Sequence, residues 1–262
     1  MLNIYLTIVL APLIGSIVVG LAGNQLGRTL SHSITILGVA ISTVLSLYVF
    51  NHHVLNDADI FNQNIYTWMQ IGGLNISVGF LVDNLTSVML VVVSFVSLMV
   101  HIYTIGYMHD DKGYTKFFSY ISLFTFAMFT LVISNNFMQL FFGWEAVGLV
   151  SYLLIGFWHH KESAIEANLK AFLVNRVGDF GFLLGIALVL MFFGTLDYAE
   201  AFSQKDQIIG QTLFGGSAIT VVCLLLFVGA MGKSAQVPLH VWLPGSMEGP
   251  TPISALIHAA TM

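Results

Sequence analysis

Long apolar runs, each about the length that crosses a lipid bilayer, follow one another along this chain. A transmembrane helix needs roughly 20 consecutive apolar residues. The composition agrees, because 57% of the residues are hydrophobic and 8% are charged, against roughly a quarter charged in soluble domains. The pattern predicts an all-α polytopic membrane protein with about eight transmembrane helices. The runs fall at residues 4–22, 34–50, 81–107, 117–133, 137–157, 164–193 and 216–243, and the last begins after Pro252.

The composition also excludes several classes of protein. The net charge is −5, and no basic patch interleaved with aromatic residues predicts binding to nucleic acid. Cys223 is the one cysteine, which excludes an internal disulfide and any metal or iron–sulfur site made of cysteines alone. Its apolar neighbours favour a small core residue. The N-terminal run has no basic segment before it, so we interpret it as a first transmembrane helix and not as a removable signal peptide.

Two connections are predicted to form structure outside the membrane. Residues 63–82 alternate loosely between apolar and polar side chains and contain Gly72-Gly73, a tight-turn signal, so we predict a β-hairpin there. Asp83 follows and is interpreted as a helix cap or an interface residue. In the connection 194–215, the spacing of apolar residues suits a short helix lying at the membrane interface.

The cations of the connections predict an orientation. Arg28, Lys112, Lys116 and Lys161 follow the first, third and fifth helices, whereas only Lys205 follows the second, fourth or sixth. Positively charged residues are enriched in cytoplasmic connections. The odd-numbered connections are therefore predicted to be cytoplasmic, with the N-terminus on the extracytoplasmic side.

Glu145 lies near the middle of the run 137–157. A carboxylate at that depth costs at least about 3 kcal/mol unless it is paired or hydrated, so it marks a functional site. Acids and bases kept inside transmembrane helices indicate movement of ions or protons. We expect Lys233 of the seventh helix to be the partner of Glu145. The alternative is a static pair that only holds two helices together.

The seventh helix is predicted to break beside Lys233. Pro238 lacks a backbone donor and clashes with the carbonyl of Ser234, and Gly229 and Gly232 weaken the preceding turns. Interrupted helices at membrane depth line cavities and mark ion sites in transporters. A buried lysine there can take and release a proton as its partner moves. The alternative is a lysine whose ammonium reaches the cytoplasmic surface.

The sixth helix carries further charges. Arg176 and Asp179 are three residues apart and share a helix face, as do Glu166 and Lys170 at a spacing of four. Arg176 and Asp179 lie nearer the middle of the helix and could equally face a neighbouring subunit. The pair that includes Lys170 lies in the first turns and could be only a feature of the helix end.

Histidines supply candidate relay groups. His258 lies in an apolar helix and is the natural proton acceptor beyond Lys233, because imidazole changes charge near neutral pH. The alternative is a buried core histidine with no chemical role. His101 is a weaker candidate of the same kind. The remaining histidines considered are interpreted as solvated loop residues, and they are His52, His53, His159 and His160.

Cofactor motifs are absent from the sequence. No Gly-x-Gly-x-x-Gly, no phosphate-binding loop, no second cysteine and no supported haem histidine pair occurs. No redox cofactor, nucleotide or metal can therefore be placed on this chain, and any electron transfer or ATP use must belong to another subunit.

Four segments carry a family resemblance, and they are FGWEAVGLVSYLLIGFW at 142–158, NRVGDFG at 175–181, GKSAQ at 232–236 and MEGPTPISALIHAATM at 247–262. They closely resemble the subunit L family of NADH-quinone oxidoreductase, the distal antiporter-like subunits of respiratory complex I. The resemblance covers essentially the whole chain, the hairpin included.

The resemblance implies the first half of an inverted-repeat, antiporter-like fold that translocates protons in a bacterial inner membrane. It implies that Glu145 and Lys233 are the paired charges of a half-channel and that His258 belongs to a central hydrophilic axis. Arg176 and Asp179 match a charged motif of the family. NADH, FMN, iron–sulfur clusters and quinone are expected on other subunits, and the implied partners are the neighbouring membrane subunits and the bilayer.

Two departures from the family pattern are visible. The family usually has Pro-Asp-Ala-Met before Glu248, whereas here Pro244 is followed by Gly245-Ser246. The second departure is length. Members of the family continue with a second, inverted repeat and a long lateral helix beyond the position of residue 262, so we predict that this chain is a fragment. Within it we predict helices 1–3 with the hairpin in residues 1–113, and helices 4–8 of the first repeat in residues 114–262.

Three other functions remain open at this point. The closest is the A subunit of multisubunit sodium/proton antiporters, although NRVGDFG at 175–181 favours the complex I group. A plastoquinone-linked homologue is the second, and these motifs barely distinguish it from the complex I subunit. A purely structural membrane anchor is the third, and in that case Glu145→Gln and Lys233→Ala would leave pumping intact.

Overall fold

The computed structural model describes residues 1–72, 74–213 and 215–260, without the side chains of residues 74 and 258–260. Within this part of the chain, five helical segments are long and apolar enough to cross a membrane. They support a multi-pass membrane protein. The five are Leu2–Leu55, Asn84–Tyr107, Tyr114–Val132, Phe137–Ile155 and Glu162–Phe193, and Ala218–Lys233 is a shorter apolar helix.

The first helix, α1 (Leu2–Phe50), folds back on itself and contains the first two predicted runs. Gly27 has φ 73° and ψ 176°, outside the helical region, so the helical hydrogen bonding is interrupted there. The halves 2–26 and 28–50 then pack together. A Cβ on Gly15 would lie 3.4 Å from the Cα of Thr35, and the Ser42 hydroxyl donates to the carbonyl of Ile8 at 2.8 Å. A π-helical turn, Asn51–Leu55, completes the segment.

A β-hairpin follows α1. Strands β1 (Phe61–Ile71) and β2 (Leu74–Val82) pair antiparallel, with register shifts between Asn64 and Tyr66 and between Thr67 and Met69. The amide of Leu81 donates to the carbonyl of Ile133, which ties β2 to the α3–α4 turn. Helix α2 (Asn84–Tyr107) begins after Asp83, whose carboxylate accepts from the amide of Thr86 at 2.7 Å. Asp83 is therefore the predicted helix cap.

Three long helices follow, α3 (Tyr114–Val132), α4 (Phe137–Ile155) and α5 (Glu162–Phe193). Asn136 caps α4, because its side-chain oxygen accepts from the amide of Gln139 at 2.8 Å. Gly194 ends α5 in the left-handed conformation, with φ 68°.

The connection after α5 contains the short helix α6 (Tyr198–Ser203), a 3₁₀ turn (Lys205–Gln207) and the small strand pair β3 (Thr212–Leu213) and β4 (Gly216–Ser217). It is tied to the start of α4. The amide of Phe137 donates to the carbonyl of Leu196 at 3.0 Å, and the amide of Tyr198 donates to the carbonyl of Asn135 at 3.2 Å.

Helix α7 (Ala218–Lys233) ends at Lys233, as the glycines and Pro238 predict. Ala235 has a φ of 49°, which is outside the right-handed helical region, so the helix cannot continue through it. Two 3₁₀ turns, Leu239–Trp242 and Gly245–Glu248, lead to α8 (Thr251–Ala260). The second turn includes the residues that depart from the family pattern.

Two sets of connections gather at opposite ends of the bundle. At one end, Arg28 donates to the carbonyls of His109 and Asp111, and the indole of Trp158 donates to the Asp111 carboxylate at 2.9 Å. At the other end, the hairpin, the α3–α4 turn and the α5–α6 connection are joined by the backbone bonds given above. The predicted odd-numbered connections therefore lie together.

Helices α5 and α7 approach each other very closely. A Cβ on Gly178 would lie 3.0 Å from the Cα of Gly232, and one on Gly229 would lie 2.6 Å from the Cβ of Phe182. Small residues let transmembrane helices approach at the backbone. The interpretation of Cys223 as a core residue is wrong, because its position on α7 turns the side chain away from this contact and leaves the thiol exposed.

Candidate functional site

Helices α4, α5 and α7 bring four charged side chains together, and we call them the charge cluster: Glu145, Arg176, Asp179 and Lys233. Glu145 is on α4, Arg176 and Asp179 are on one face of α5, and Lys233 ends α7. The glycine contacts between α5 and α7 place the end of α7 against the middle of α5. All four residues are sequence-predicted site residues.

Glu145 forms its salt bridge with Arg176, which corrects the expected direct pair with Lys233. The guanidinium donates to Oε2 of Glu145. No salt bridge within 4.0 Å joins Glu145 to Lys233, and both residues are among those described. The physical reason is position along α4, because the Lys233 ammonium lies over Gly148, three residues after Glu145, while the guanidinium of Arg176 meets the Glu145 carboxylate. Buried Oε1 of Glu145 has no hydrogen-bond partner in the described chain.

Asp179 is the most buried carboxylate of the charge cluster, with 3% of the residue exposed. Its Oδ1 accepts from the indole N–H of Trp144 at 2.7 Å. Its Oδ2 lies 3.9 Å from a guanidinium nitrogen of Arg176. Arg176 therefore faces both carboxylates, although 44% of its side chain remains exposed at the surface of this chain.

Lys233 is buried, with 7% of the residue exposed. Asp179 and Glu145 are the acidic groups that interact with it. The C-terminal end of α7 also favours a cation, because the helix dipole is negative there. The Lys233 ammonium lies directly over Gly148 of α4, where a Cβ would collide with Nζ. Gly148 therefore makes the room that this ammonium occupies.

The break after Lys233 is stabilised by a side chain. The indole of Trp242 donates to the carbonyl of Gly232 at 3.0 Å, which satisfies a helix-end acceptor. The amide of Gln236 donates to the carbonyl of Met231 at 2.9 Å. The broken helix is thus held in one defined conformation, and Lys233 is fixed where the helix ends.

Two cavities adjoin Lys233. The first is small, about 10 Å³, and includes Asn175, Arg176 and Asp179 in its lining. That volume holds roughly one water molecule. The buried Oδ1 of Asn175 has no partner in the described residues and is suited to accept from such a water. The second cavity, of about 220 Å³, is mainly apolar and is lined by Met128, Leu131, Trp144, Val147, Ala230, Lys233 and Ser234.

The other predicted residues lie apart from the charge cluster. Lys170 and Glu166 are exposed on α5 and form no salt bridge with each other. The side chain of His258 lies outside the described residues. His101 is fully buried on α2, where its Nδ1 lies 2.8 Å from the carbonyl of Ser97. A carbonyl only accepts, so Nδ1 carries a hydrogen in this arrangement.

Sequence reasoning missed Trp144 and Gly148 as site residues. Both lie on α4 close to Glu145, and Gly148 shares a helix face with Glu145 and with Trp144 at spacings of three and four. That spacing was the available signal. An apolar helix contains many aromatic and glycine residues, so spacing alone does not separate these two from packing residues.

No group of three or more histidine, cysteine, aspartate or glutamate side chains is arranged to hold a metal ion within the described ranges. The charge cluster mixes two bases with two acids, and the ammonium of Lys233 and the guanidinium of Arg176 repel a cation. The arrangement is instead suited to moving protons among side chains and water.

Two family descriptions match this chain. Residues 134–262, which include the charge cluster, match the family described as NADH:quinone oxidoreductase/Mrp antiporter, TM. Residues 68–118 match NADH-Ubiquinone oxidoreductase (complex I), chain 5 N-terminus.

Curated relatives match over the whole length of the chain. NADH-quinone oxidoreductase subunit L of Neisseria meningitidis serogroup B is 65% identical over 268 residues, covering 100% of this chain and 40% of the relative. Subunit L of Rickettsia felis is 46% identical, covering 99% and 40%. NADH-ubiquinone oxidoreductase chain 5 of Dictyostelium discoideum is 45% identical, covering 98% and 39%. The chain spans about 40% of the length of the relatives it matches.

Solved structures share the fold. A chain of the Mrp complex from Dietzia sp. superimposes with a TM-score of 0.82 at 25% identity, covering 99% of this chain and 27% of that one. A chain of the archaeal membrane-bound sulfane sulfur reductase gives 0.81 at 19% identity, covering 98% and 51%. Over essentially its whole length this chain is therefore similar to NADH-quinone oxidoreductase subunit L, and residues 134–262, which include Glu145 and Lys233, match the NADH:quinone oxidoreductase/Mrp antiporter family.

Proposed function

We propose that the full-length protein is a proton-translocating membrane subunit of NADH:quinone oxidoreductase, and that the charge cluster is part of its proton path. The observation that carries this proposal is the meeting of Glu145, Asp179 and Lys233 inside a bundle of apolar helices. Such groups are costly within a membrane and serve transport where they occur. The family match supports the same activity.

Arg176 and Lys233 compete for Glu145 in the proposed cycle. With Arg176 bonded to Oε2, Glu145 is partly neutralised and attracts the ammonium of Lys233 weakly. When Arg176 moves away, the carboxylate attracts Lys233 and favours its protonated state. Return of Arg176 weakens that attraction, so Lys233 releases its proton. The free Oε1 and the 44% exposure of Arg176 leave room for both arrangements.

The proton itself moves between neutral acceptors. Neutral Lys233 takes a proton through a water in the small cavity beside Asn175, and that water regains a proton from the aqueous phase, so Lys233 becomes an ammonium. On release, one N–H bond of Lys233 breaks and the proton passes to the next acceptor. We propose the imidazole of His258 as that acceptor, by its position in α8 after the broken helix. Lys170 is assigned a surrounding electrostatic role.

The proposed placement in the membrane has the N-terminus on the extracytoplasmic side of a bacterial inner membrane. The gathered cations Arg28, Lys112, Lys116 and Lys161 support a cytoplasmic end. The hairpin and α6 then lie at the opposite surface. Helix α1 crosses the membrane twice, and α2, α3, α4, α5, α7 and α8 cross it once each, which gives eight passes.

The proposed partners are the neighbouring membrane subunits of the complex and the lipid. Redox chemistry belongs to other subunits, where NADH, FMN, iron–sulfur clusters and quinone are expected. Quinone reduction would reach the charge cluster as an electrostatic change, because moving a charge nearby alters the balance between Arg176 and Lys233 at Glu145.

Lys233→Ala in the full-length protein tests the proposal. Proton pumping by membrane vesicles that contain the assembled complex should fall to a small fraction of the wild-type rate, and coupled quinone reduction should fall with it. Glu145→Gln should act in the same direction. Lys205→Ala is the matched control, because Lys205 lies in the exposed α6 connection. Normal pumping by an assembled Lys233→Ala variant would exclude this role.

A subunit of a multisubunit sodium/proton antiporter is the second candidate. The likeness to the Mrp complex of Dietzia favours it, with a TM-score of 0.82. Measuring cation exchange in vesicles without NADH separates the two. Sodium-driven proton movement that Lys233→Ala abolishes would support the antiporter, whereas pumping that requires NADH and quinone would support the complex I subunit.

A further inference from the structure

Trp144 touches an anion and a cation of the charge cluster although it carries no charge. Its indole N–H donates to Oδ1 of Asp179 at 2.7 Å. The Nζ of Lys233 lies 5.9 Å from the centroid of its ring. No salt bridge within 4.0 Å joins Asp179 and Lys233 directly, and both are described residues. The indole therefore contacts two groups of opposite charge type that do not form a direct ion pair.

The polarity of indole suits both contacts. The face of the ring is the negative side of its quadrupole and attracts an ammonium within about 6 Å. The N–H at the ring edge is a hydrogen-bond donor and has no acceptor function. Asp179 meets the donating edge and Lys233 meets the π face. A phenylalanine ring offers only the second contact, so the residue type matters.

Packing fixes the orientation of the indole. Trp144 stacks on Phe182, with centroids 4.8 Å apart and planes inclined by 24°. Phe182 in turn fills the space left by the missing side chain of Gly229 at the α5–α7 contact. The ring also lines the apolar cavity beside Lys233. Trp144 thus has a rigid support on α5 and lines this apolar cavity together with Lys233.

We propose that Trp144 is a positioning residue of the proton path, which holds the Asp179 carboxylate near Lys233 and prevents the two from closing into a direct ion pair. This inference rests on the proposed function of the charge cluster. Separated charges exchange protons more readily, because a tight ammonium–carboxylate pair holds the proton on the lysine. Without the indole N–H, Oδ1 of Asp179 loses a buried donor and the carboxylate turns to Lys233 to replace it.

Trp144→Phe in the full-length protein tests the inference. In vesicles with the assembled complex, protons pumped per NADH oxidised should fall by about fivefold or more, while NADH oxidation with an artificial electron acceptor stays unchanged. Trp158→Phe is the matched control, because Trp158 also donates to a carboxylate, that of Asp111 at 2.9 Å, but at the helix end. Trp158→Phe should pump as the wild type does.

A second variant tests the inference if Trp144→Phe assembles poorly. Benzothienylalanine at position 144 keeps the volume and the π face of indole and replaces the N–H by sulfur, so it should reproduce the pumping defect. The infrared band of the Asp179 carboxyl group, assigned with Asp179→Asn, should shift in this protein and not in Trp158→Phe. A purely structural role for Trp144 predicts no shift.

The outcomes separate the two proposals. Wild-type pumping with benzothienylalanine at 144, together with lost pumping in Lys233→Ala, overturns the inference and leaves the proposed function standing. Normal pumping in assembled Lys233→Ala overturns the proposed function itself. Lost pumping in Lys233→Ala and in both Trp144 variants, with a shifted Asp179 band, supports the inference.

Discussion

Helices α1 to α3 bury neutral hydroxyls, whereas α4, α5 and α7 bury charged side chains. In the first region, Ser42 donates to the carbonyl of Ile8, and Ser97 and Thr125 share a hydrogen bond of 2.6 Å. Within the described residues, the buried side chains among aspartate, glutamate, lysine and arginine are Asp179 and Lys233, and both lie in the second region. Both regions are built of apolar helices.

The difference in polar groups implies a difference in function. A buried hydroxyl bonded to a carbonyl is satisfied in one arrangement and contributes to helix association, by about 0.6 kcal/mol on average in membrane proteins. Buried atoms without a hydrogen-bond partner occur in both regions of the described chain: Oγ of Ser46 and Nε2 of His101 in the first, Oε1 of Glu145 and Oδ1 of Asn175 in the second. The difference between the regions is therefore one of charge. We interpret α1 to α3 as a scaffold, whereas the acids and bases of the second region can exchange partners.

Gly148→Ala should give the largest effect and would test the second region directly. The new Cβ collides with Nζ of Lys233, so the ammonium must leave its position beside Asp179. A displacement of about 1 Å in a reacting group can cost roughly tenfold or more in rate. We expect proton pumping to fall by about that factor in assembled complexes. Gly106→Ala is the control, because a Cβ there meets nothing within 4 Å. Unchanged pumping in Gly148→Ala would remove the distinction between the regions.

Gly178→Ala should affect both stability and pumping, because it wedges α5 from α7. Its Cβ would lie 3.0 Å from the Cα of Gly232 and 3.2 Å from the carbonyl of Val228, and backbone atoms cannot move aside cheaply. Overpacking of this kind costs about 1–3 kcal/mol. The thermal unfolding temperature in detergent should fall, with pumping reduced. Gly245→Ala, whose Cβ would meet Ala167 at an ordinary 3.5 Å, should leave both measurements unchanged.

Ser97→Ala tests the scaffold. It removes the hydrogen bond to Thr125 and should lower the free energy of unfolding by about 0.5–1.5 kcal/mol, while pumping per assembled complex stays at the wild-type level. A double-mutant cycle with Thr125→Ala measures the pair itself. A loss of pumping without a loss of stability would place a transport role in α1 to α3 and contradict the comparison.

Cys223→Ala should have the smallest effect. Its side chain is exposed on the outer face of α7, so the free energy of unfolding should change by less than about 0.5 kcal/mol. Val222→Ala is the buried neighbour for comparison and should destabilise more, because its side chain loses packing contacts. Equal costs for the two variants would mean that α7 is covered on both faces in the full protein.

Much of the charge cluster could be predicted before any fold was known. Glu145, Arg176, Asp179 and Lys233 are visible as rare charges in apolar runs, and the rarity itself marks them. The family resemblance narrows the function further. The prediction that Glu145 pairs directly with Lys233 was wrong. Whether Arg176 or Lys233 bonds Glu145 depends on distances between different helices, and the sequence of one helix does not contain them.

The sequence by itself determined the transmembrane character and the end of α7 at Lys233. Both follow from local chemistry, since apolar length matches the bilayer and a proline with nearby glycines cannot continue a helix. Only the tertiary structure decided that Arg176 bonds Glu145, that Gly148 makes room for Lys233 and that Trp144 contacts both Asp179 and Lys233. Those contacts depend on how closely α5 and α7 approach and which face of α4 meets them, and helix packing, not helix formation, sets both.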